Sequence, residues 1–171
     1  MDDLLALWDV DYTLLSAVGL GNRLYREVFK DMFGRDLAAI EALATAGARQ
    51  SVLTGNIRPL AAVKLTAAGL SQHLDLNVGA YGDAHEVRAE LVPVARHAAR
   101  AAYGTDFSGL STVLVGDTPL DVAAALDTRA RAVGVATGSF PPADLAAAGA
   151  HAVLPDLTDT SLVVAAVTGQ P

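Results

Sequence analysis

The chain has no cysteine and only two lysines, Lys30 and Lys64, and aromatic residues make up 5% of its 171 positions. Without thiols there is no disulfide frame, no thiolate nucleophile and no zinc ribbon, so oxygen and nitrogen groups must carry any chemistry. Charged residues are few, at 18%. Acidic ones outnumber basic ones 19 to 12, giving a formal net charge of -7, a field that repels polyanions and argues against nucleic-acid partners. No apolar run reaches the roughly 18 residues that a membrane span requires. The start, Met1-Asp2-Asp3-Leu4, lacks the cationic stretch of a secretory signal, so a cytoplasmic protein with no membrane partner is expected. His73, His85, His97 and His151 show no i, i+4 pairing, which argues against a histidine metal site.

What is present is apolar surface, 52% of residues, enough for one real core. Short apolar runs alternate with longer stretches of helical period, the pattern of an α/β fold whose mainly parallel sheet carries helices on its faces. Strands are expected at 4–8, 50–53, 74–78, 112–115, 132–135 and 152–154, and helices at 21–33, 37–46, 59–68, 86–103, 120–126, 142–148 and 161–167. Pro59, Pro119 and Pro142 sit near helix starts, and Gly47, Gly69, Gly104 and Gly149 follow helices. With no repeat and no long linker, 1–171 reads as a single domain.

In an open α/β sheet the ligand site lies beyond the carboxyl ends of the strands. Three of those ends are unusual: Asp9-Val10-Asp11-Tyr12-Thr13 after the first run, Thr54-Gly55-Asn56 after the second, and Gly116-Asp117-Thr118-Pro119-Leu120-Asp121 after the fourth. Taken singly, such residues are common turn and cap formers. Taken together, parallel strands crowd Asp9, Asp11, Asp117 and Asp121 into a small volume, an unfavourable arrangement unless a proton or a hard cation such as Mg²⁺ intervenes.

These three segments, in this order and strand context, resemble the haloacid dehalogenase (HAD) superfamily, closest to its phosphoglycolate-phosphatase-like branch. The resemblance covers residue 4 to about 138. It implies a Rossmann-like three-layer core with the first strand central, and the acid at Asp11 implies phosphoryl transfer rather than dehalogenation. On that resemblance Asp9 is the nucleophile and Asp11 the general acid and base. Thr54, Gly55 and Asn56 bind the phosphoryl group. Mg²⁺ is held by Asp9, Asp11 through its backbone carbonyl, and Asp117, with Asp121 a further ligand or a support of the shell. The expected activity is hydrolysis of a small phosphorylated metabolite through an aspartyl phosphate.

Two departures stand out. The family's usual lysine beside the phosphoryl oxygens is missing after the third apolar run, and Arg88 is its expected substitute for catalysis and substrate binding. Lys64, the rival, sits mid-helix, where a solvated side chain is the ordinary outcome. Tyr12 replaces the glycine common between the second Asp and the Thr, and Trp8 reads as core. Asp83 is undecided between site rim and surface. Only 45 positions separate Asp9 from Thr54, too few for the multi-helix cap that relatives insert there, so 14–36 is read as a residual cap or flap. A site so open implies low selectivity, or a second copy of the chain covering it, and disfavours phosphomutase chemistry, which needs a closed site. The competing class is a non-catalytic binding or scaffold protein that keeps the fold and the metal.

Overall fold

A computed structural model describes residues 4–15 and 36–170. Its strands are β1 (Leu5–Trp8), β2 (Arg49–Thr54), β3 (Ala80–Tyr81), β4 (Thr112–Gly116), β5 (Arg131–Val135) and β6 (Ala152–Leu154). The helices are α1 (Asp36–Thr45), α2 (Arg58–Ala67), α3 (Arg88–Tyr103), α4 (Pro119–Asp127), α5 (Pro142–Ala147) and α6 (Thr160–Thr168). One six-stranded sheet has the order β3-β2-β1-β4-β5-β6, and every pairing is parallel. The chain therefore steps outward from β1 on one side and, after crossing back to β4, outward on the other. That reversal opens a crevice at the carboxyl ends of β1 and β4.

Alternation along β1 divides the core in two. Leu5 and Leu7 join Leu114, Ala132, Leu91 and Val92 on the face covered by α3, α4 and α5. Ala6 and Trp8 join Val52, Val113, Ile40, Leu65 and Val163 on the face covered by α1, α2 and α6. Helices on both faces make this the expected three-layer α/β sandwich, and they explain why the central strands read as unbroken apolar runs. Trp8 is fully buried, and its indole donates to Gln50 Oε1 at 3.2 Å, while Gln50 Nε2 donates to the Ile40 carbonyl at 2.8 Å. It is a core residue. Pro59, Pro119 and Pro142 all occupy first-turn positions, and Gly47, Gly69, Gly104 and Gly149 all take positive φ.

One expected strand is absent. Residues 74–78 form a turn, and the third strand comes later, at Ala80–Tyr81. The cause is local: the Asp75 carboxylate accepts from the Asn77 N–H at 3.0 Å and the Asp75 carbonyl accepts from the Val78 N–H at 3.2 Å, a turn that an Asp two residues before an Asn favours. Leu74 and Val78 are buried nonetheless, so the apolar signal there reports packing rather than strand pairing. The expected helix at 21–33, and all of the 14–36 flap except its ends, lie outside the described residues.

Candidate active site

Asp9 directly follows β1, and its backbone N–H donates to the Val115 carbonyl at 2.8 Å, so the ladder with β4 continues up to the acid. Asp117 follows β4 in the neighbouring position. Asp121 is the third residue of α4, where it closes a capping box: its N–H reaches the Thr118 hydroxyl at 3.2 Å, and its carboxylate accepts from the Thr118 N–H at 3.1 Å and the Thr118 hydroxyl at 2.7 Å. Gly116 makes this possible, because a Cβ there would overlap the Asp121 carboxyl group. One oxygen from each of Asp9, Asp117 and Asp121 lies within 4.8 Å of the others, and all three residues are buried.

Arg88, the first residue of α3, is driven into this cluster. Its Nη2 meets Asp9 at 2.6 Å, its Nε pairs with Asp121, and Nη2 also donates to the Leu53 carbonyl at 3.3 Å. Burial works against the guanidinium's charge, but Asp9 and Asp121 outweigh it and raise its pKa. Burial likewise pushes Asp9 up from 3.8 to about 7, with Asp121 adding to the rise and Arg88 opposing it. Asp117 is also raised, by burial and then by Asp121, against a hydrogen bond from Thr13 Oγ1 at 3.2 Å. Three carboxylates against one guanidinium leave a formal deficit of two positive charges. Exclusively oxygen donors, crowded and buried, fit a hard divalent cation. Both Asp121 oxygens are already engaged, by Arg88 and Thr118, which leaves Asp9 and Asp117 as the side chains free to ligate.

Asp11 is in the same pocket but faces another way. Lys64 Nζ donates to both of its oxygens, at 2.7 and 2.8 Å, and Asn56 Nδ2 donates to Oδ2 at 2.7 Å. Asn56 Nδ2 also donates to Thr54 Oγ1 at 2.9 Å, so the β2 turn and the β1 turn are tied together. Asp9, Asp11, Tyr12, Thr54, Gly55, Asn56, Arg88, Asp117 and Thr118 line one pocket of about 270 Å³. The structure thus brings together every residue singled out for the site, with Asp121 just behind the wall. It sets Arg88, not Lys64, beside Asp9. Asp83 is exposed and away from the pocket, and among the described residues no histidine joins an acidic cluster.

Three supports were missed. Lys64, expected in solvent, grips Asp11. Thr137 Oγ1 donates to the Tyr12 carbonyl and holds Tyr12 at φ 61, a left-handed conformation that costs a non-glycine residue roughly 1–2 kcal/mol. Gly138 has its Cα against Asp117, and a Cβ there would overlap Asp117 Oδ2. A glycine just beyond the fifth apolar run was the available signal. Gly138→Ala is expected to displace the Asp117 carboxylate and weaken divalent-ion binding by roughly 10- to 100-fold, with an unchanged circular dichroism spectrum. Isothermal titration with Mg²⁺ checks it, and equal affinity in variant and parent refutes it.

A HAD-hydrolase-like family model matches residues 88–160, the segment that supplies Arg88, Asp117 and Asp121. A haloacid dehalogenase-like family hydrolase of Streptococcus pneumoniae superposes with a TM-score of 0.67 at 13% identity, covering 96% of this chain and 99% of its own. A candidate β-phosphoglucomutase of Thermotoga maritima gives 0.67 at 14% identity, over 94% and 98%. A predicted phosphatase of Clostridium acetobutylicum gives 0.61 at 16%, over 88% and 93%. Another solved structure, at 0.63 and 17% identity, is spanned over 41% of its length. No curated protein sequence matches. Identities this low speak for the fold alone: the chain shares the α/β fold of these structures, and over residues 88–160 it is similar to the HAD-hydrolase-like family model. No helix among the described residues is long and apolar enough to cross a membrane.

Proposed function

We propose that the protein is a cytoplasmic, Mg²⁺-dependent phosphatase that hydrolyses small phosphomonoesters through an aspartyl phosphate on Asp9. One observation carries this reading: a buried carboxylate, held by Arg88 at 2.6 Å, lines the same pocket as Thr54, Gly55 and Asn56 and as two further acids, Asp11 and Asp117. An attacking carboxylate needs a preset orientation and a cation for the charge that develops on the phosphoryl oxygens, and Arg88 supplies both. Thr54 presents its hydroxyl, and the Gly55 and Asn56 amides lie beside it at the end of β2. Asp11, hydrogen-bonded to Asn56 in the same pocket, gives a proton to the leaving oxygen and takes one from the water that follows. Mg²⁺, held by Asp9, Asp117 and the Asp11 carbonyl, would neutralise the remaining charge and orient the phosphoryl group.

The test is phosphate release from p-nitrophenyl phosphate, phosphoglycolate and a panel of sugar phosphates. Turnover is expected with Mg²⁺, none in EDTA, and recovery on readdition. Release that ignores EDTA would remove the metal from the reading. Stabilisation by Mg²⁺ without any release would mark a binding protein instead. The open pocket predicts broad use of small substrates, and residues 1–171 are taken as one domain with 14–36 its reduced cap.

A further inference from the structure

We infer that Lys64 is a positioning residue that sets Asp11 for hydrolysis of the phosphoenzyme. The inference rests on the phosphatase reading and deepens it. Lys64 projects from the middle of α2 and does not line the pocket, so it has no route to substrate except through its neighbours. Those neighbours are Asp11 and Asn56, with Nζ at 2.7 and 2.8 Å from the two Asp11 oxygens and 3.0 Å from Asn56 Oδ1. Asn56 in turn donates to Asp11 Oδ2 and to Thr54 Oγ1. All three ammonium donors are thereby committed, and an exposed lysine has no need of such a cage.

The consequence for Asp11 is orientational. A carboxylate has four acceptor sites on its two oxygens. Among the described residues Oδ2 accepts from both Lys64 and Asn56, while Oδ1 accepts from Lys64 alone and keeps a lone pair for one more donor. Without the ammonium, the Asp11 side chain, 43% exposed, has one tether left among the described residues, the Asn56 amide. In the second half of the reaction a water oxygen bonds to phosphorus, the bond from phosphorus to the Asp9 oxygen breaks with its electron pair returning to the carboxylate, and the water's proton passes to Asp11 Oδ1. That step needs a fixed base. The first half, with p-nitrophenolate as leaving group, needs no proton from Asp11, because the phenolate departs as a stable anion.

The two halves separate in steady-state kinetics. In Lys64→Met with p-nitrophenyl phosphate, kcat is expected to fall roughly tenfold or more, part of the 10²–10⁴ that proton transfer contributes. KM should fall with it, so that kcat/KM stays within about threefold, and a burst approaching one nitrophenolate per protein should precede the slow phase. Lys64→Arg should recover much of kcat. An unchanged kcat, or an equal fall in kcat and kcat/KM with no burst, overturns the role. Contact itself can be followed without turnover: with only two lysines, ¹⁵N-lysine labelling and Lys30→Arg isolate the Lys64 ammonium signal. It should be sharp in the parent and lost in Asp11→Asn. A signal indifferent to Asp11→Asn refutes the tether, whereas a sharp signal in a protein releasing no nitrophenolate refutes the phosphatase reading and the role built on it.

Discussion

Asp9→Asn is expected to abolish phosphate release, by at least roughly 10⁴-fold, while leaving a protein that is more stable than the parent in metal-free buffer at pH 8. The two effects share one cause. An amide cannot attack phosphorus, so the covalent route closes. The same amide removes a charge that the fold holds at a cost, since burial lifts the Asp9 carboxyl from 3.8 to about 7. The sign follows from proton binding. Below about pH 3.8 the carboxyl is protonated in folded and unfolded chains alike, and it contributes no difference. Between 3.8 and about 7 the unfolded chain releases the proton and the folded one keeps it, so parent stability falls as pH rises, and above 7 the loss is complete. The full interval corresponds to roughly 4 kcal/mol, with Arg88 retaining Asp121 as a partner in the variant. Chemical denaturation in EDTA across pH 4 to 8 should show the variant's advantage growing with pH, and excess Mg²⁺ should shrink it by stabilising the parent. An advantage that is flat across this range would show that Asp9 is not the strained acid described here.

The second large effect is at Arg88. Truncation to methionine strands Asp9 and Asp121, which are 11% and 4% exposed at their side chains, without the cation that each contacts. Breaking a buried ion pair from one side costs roughly 3–5 kcal/mol, and the phosphoryl oxygens lose a preorganised donor worth roughly 10²–10³ in kcat. Arg88→Lys should be intermediate, because a single ammonium cannot reach Asp9, Asp121 and the Leu53 carbonyl in the fork that the guanidinium makes. Urea midpoints in EDTA together with kcat under saturating Mg²⁺ measure both parts. A methionine variant as stable and as active as the parent would mean that the Arg88 contacts are incidental.

The sheet and its tips were legible because a parallel sheet covered on both faces leaves strong marks: apolar runs such as Leu5 to Trp8, which a carboxylate ends. Asp9, Thr54, Arg88 and Asp117 could be placed at one end of that sheet from order alone, since topology does the gathering. Asp75 and Asn77 show where the pattern fails: a local turn outcompeted pairing inside an apolar stretch, and periodicity cannot register a side chain that accepts from its own backbone. Lys64 was opaque for a different reason. A mid-helix lysine gives no sign of what its ammonium reaches, and its partner lies 53 residues away. Thr137 and Gly138 were equally silent, because what matters at each is a close approach to the β1 turn or to Asp117 that only the folded chain creates.

The sheet order carries one more implication. β1 is made first yet is hydrogen-bonded to β4, more than a hundred residues downstream, and the acids of the site come from these two strands. No nascent or partly assembled chain can own the pocket: until the last-arriving neighbour docks beside the first strand, Asp9 and Asp117 are far apart and neither is forced out of water. The buried acidic cluster is therefore a property of completed assembly, absent from its pieces.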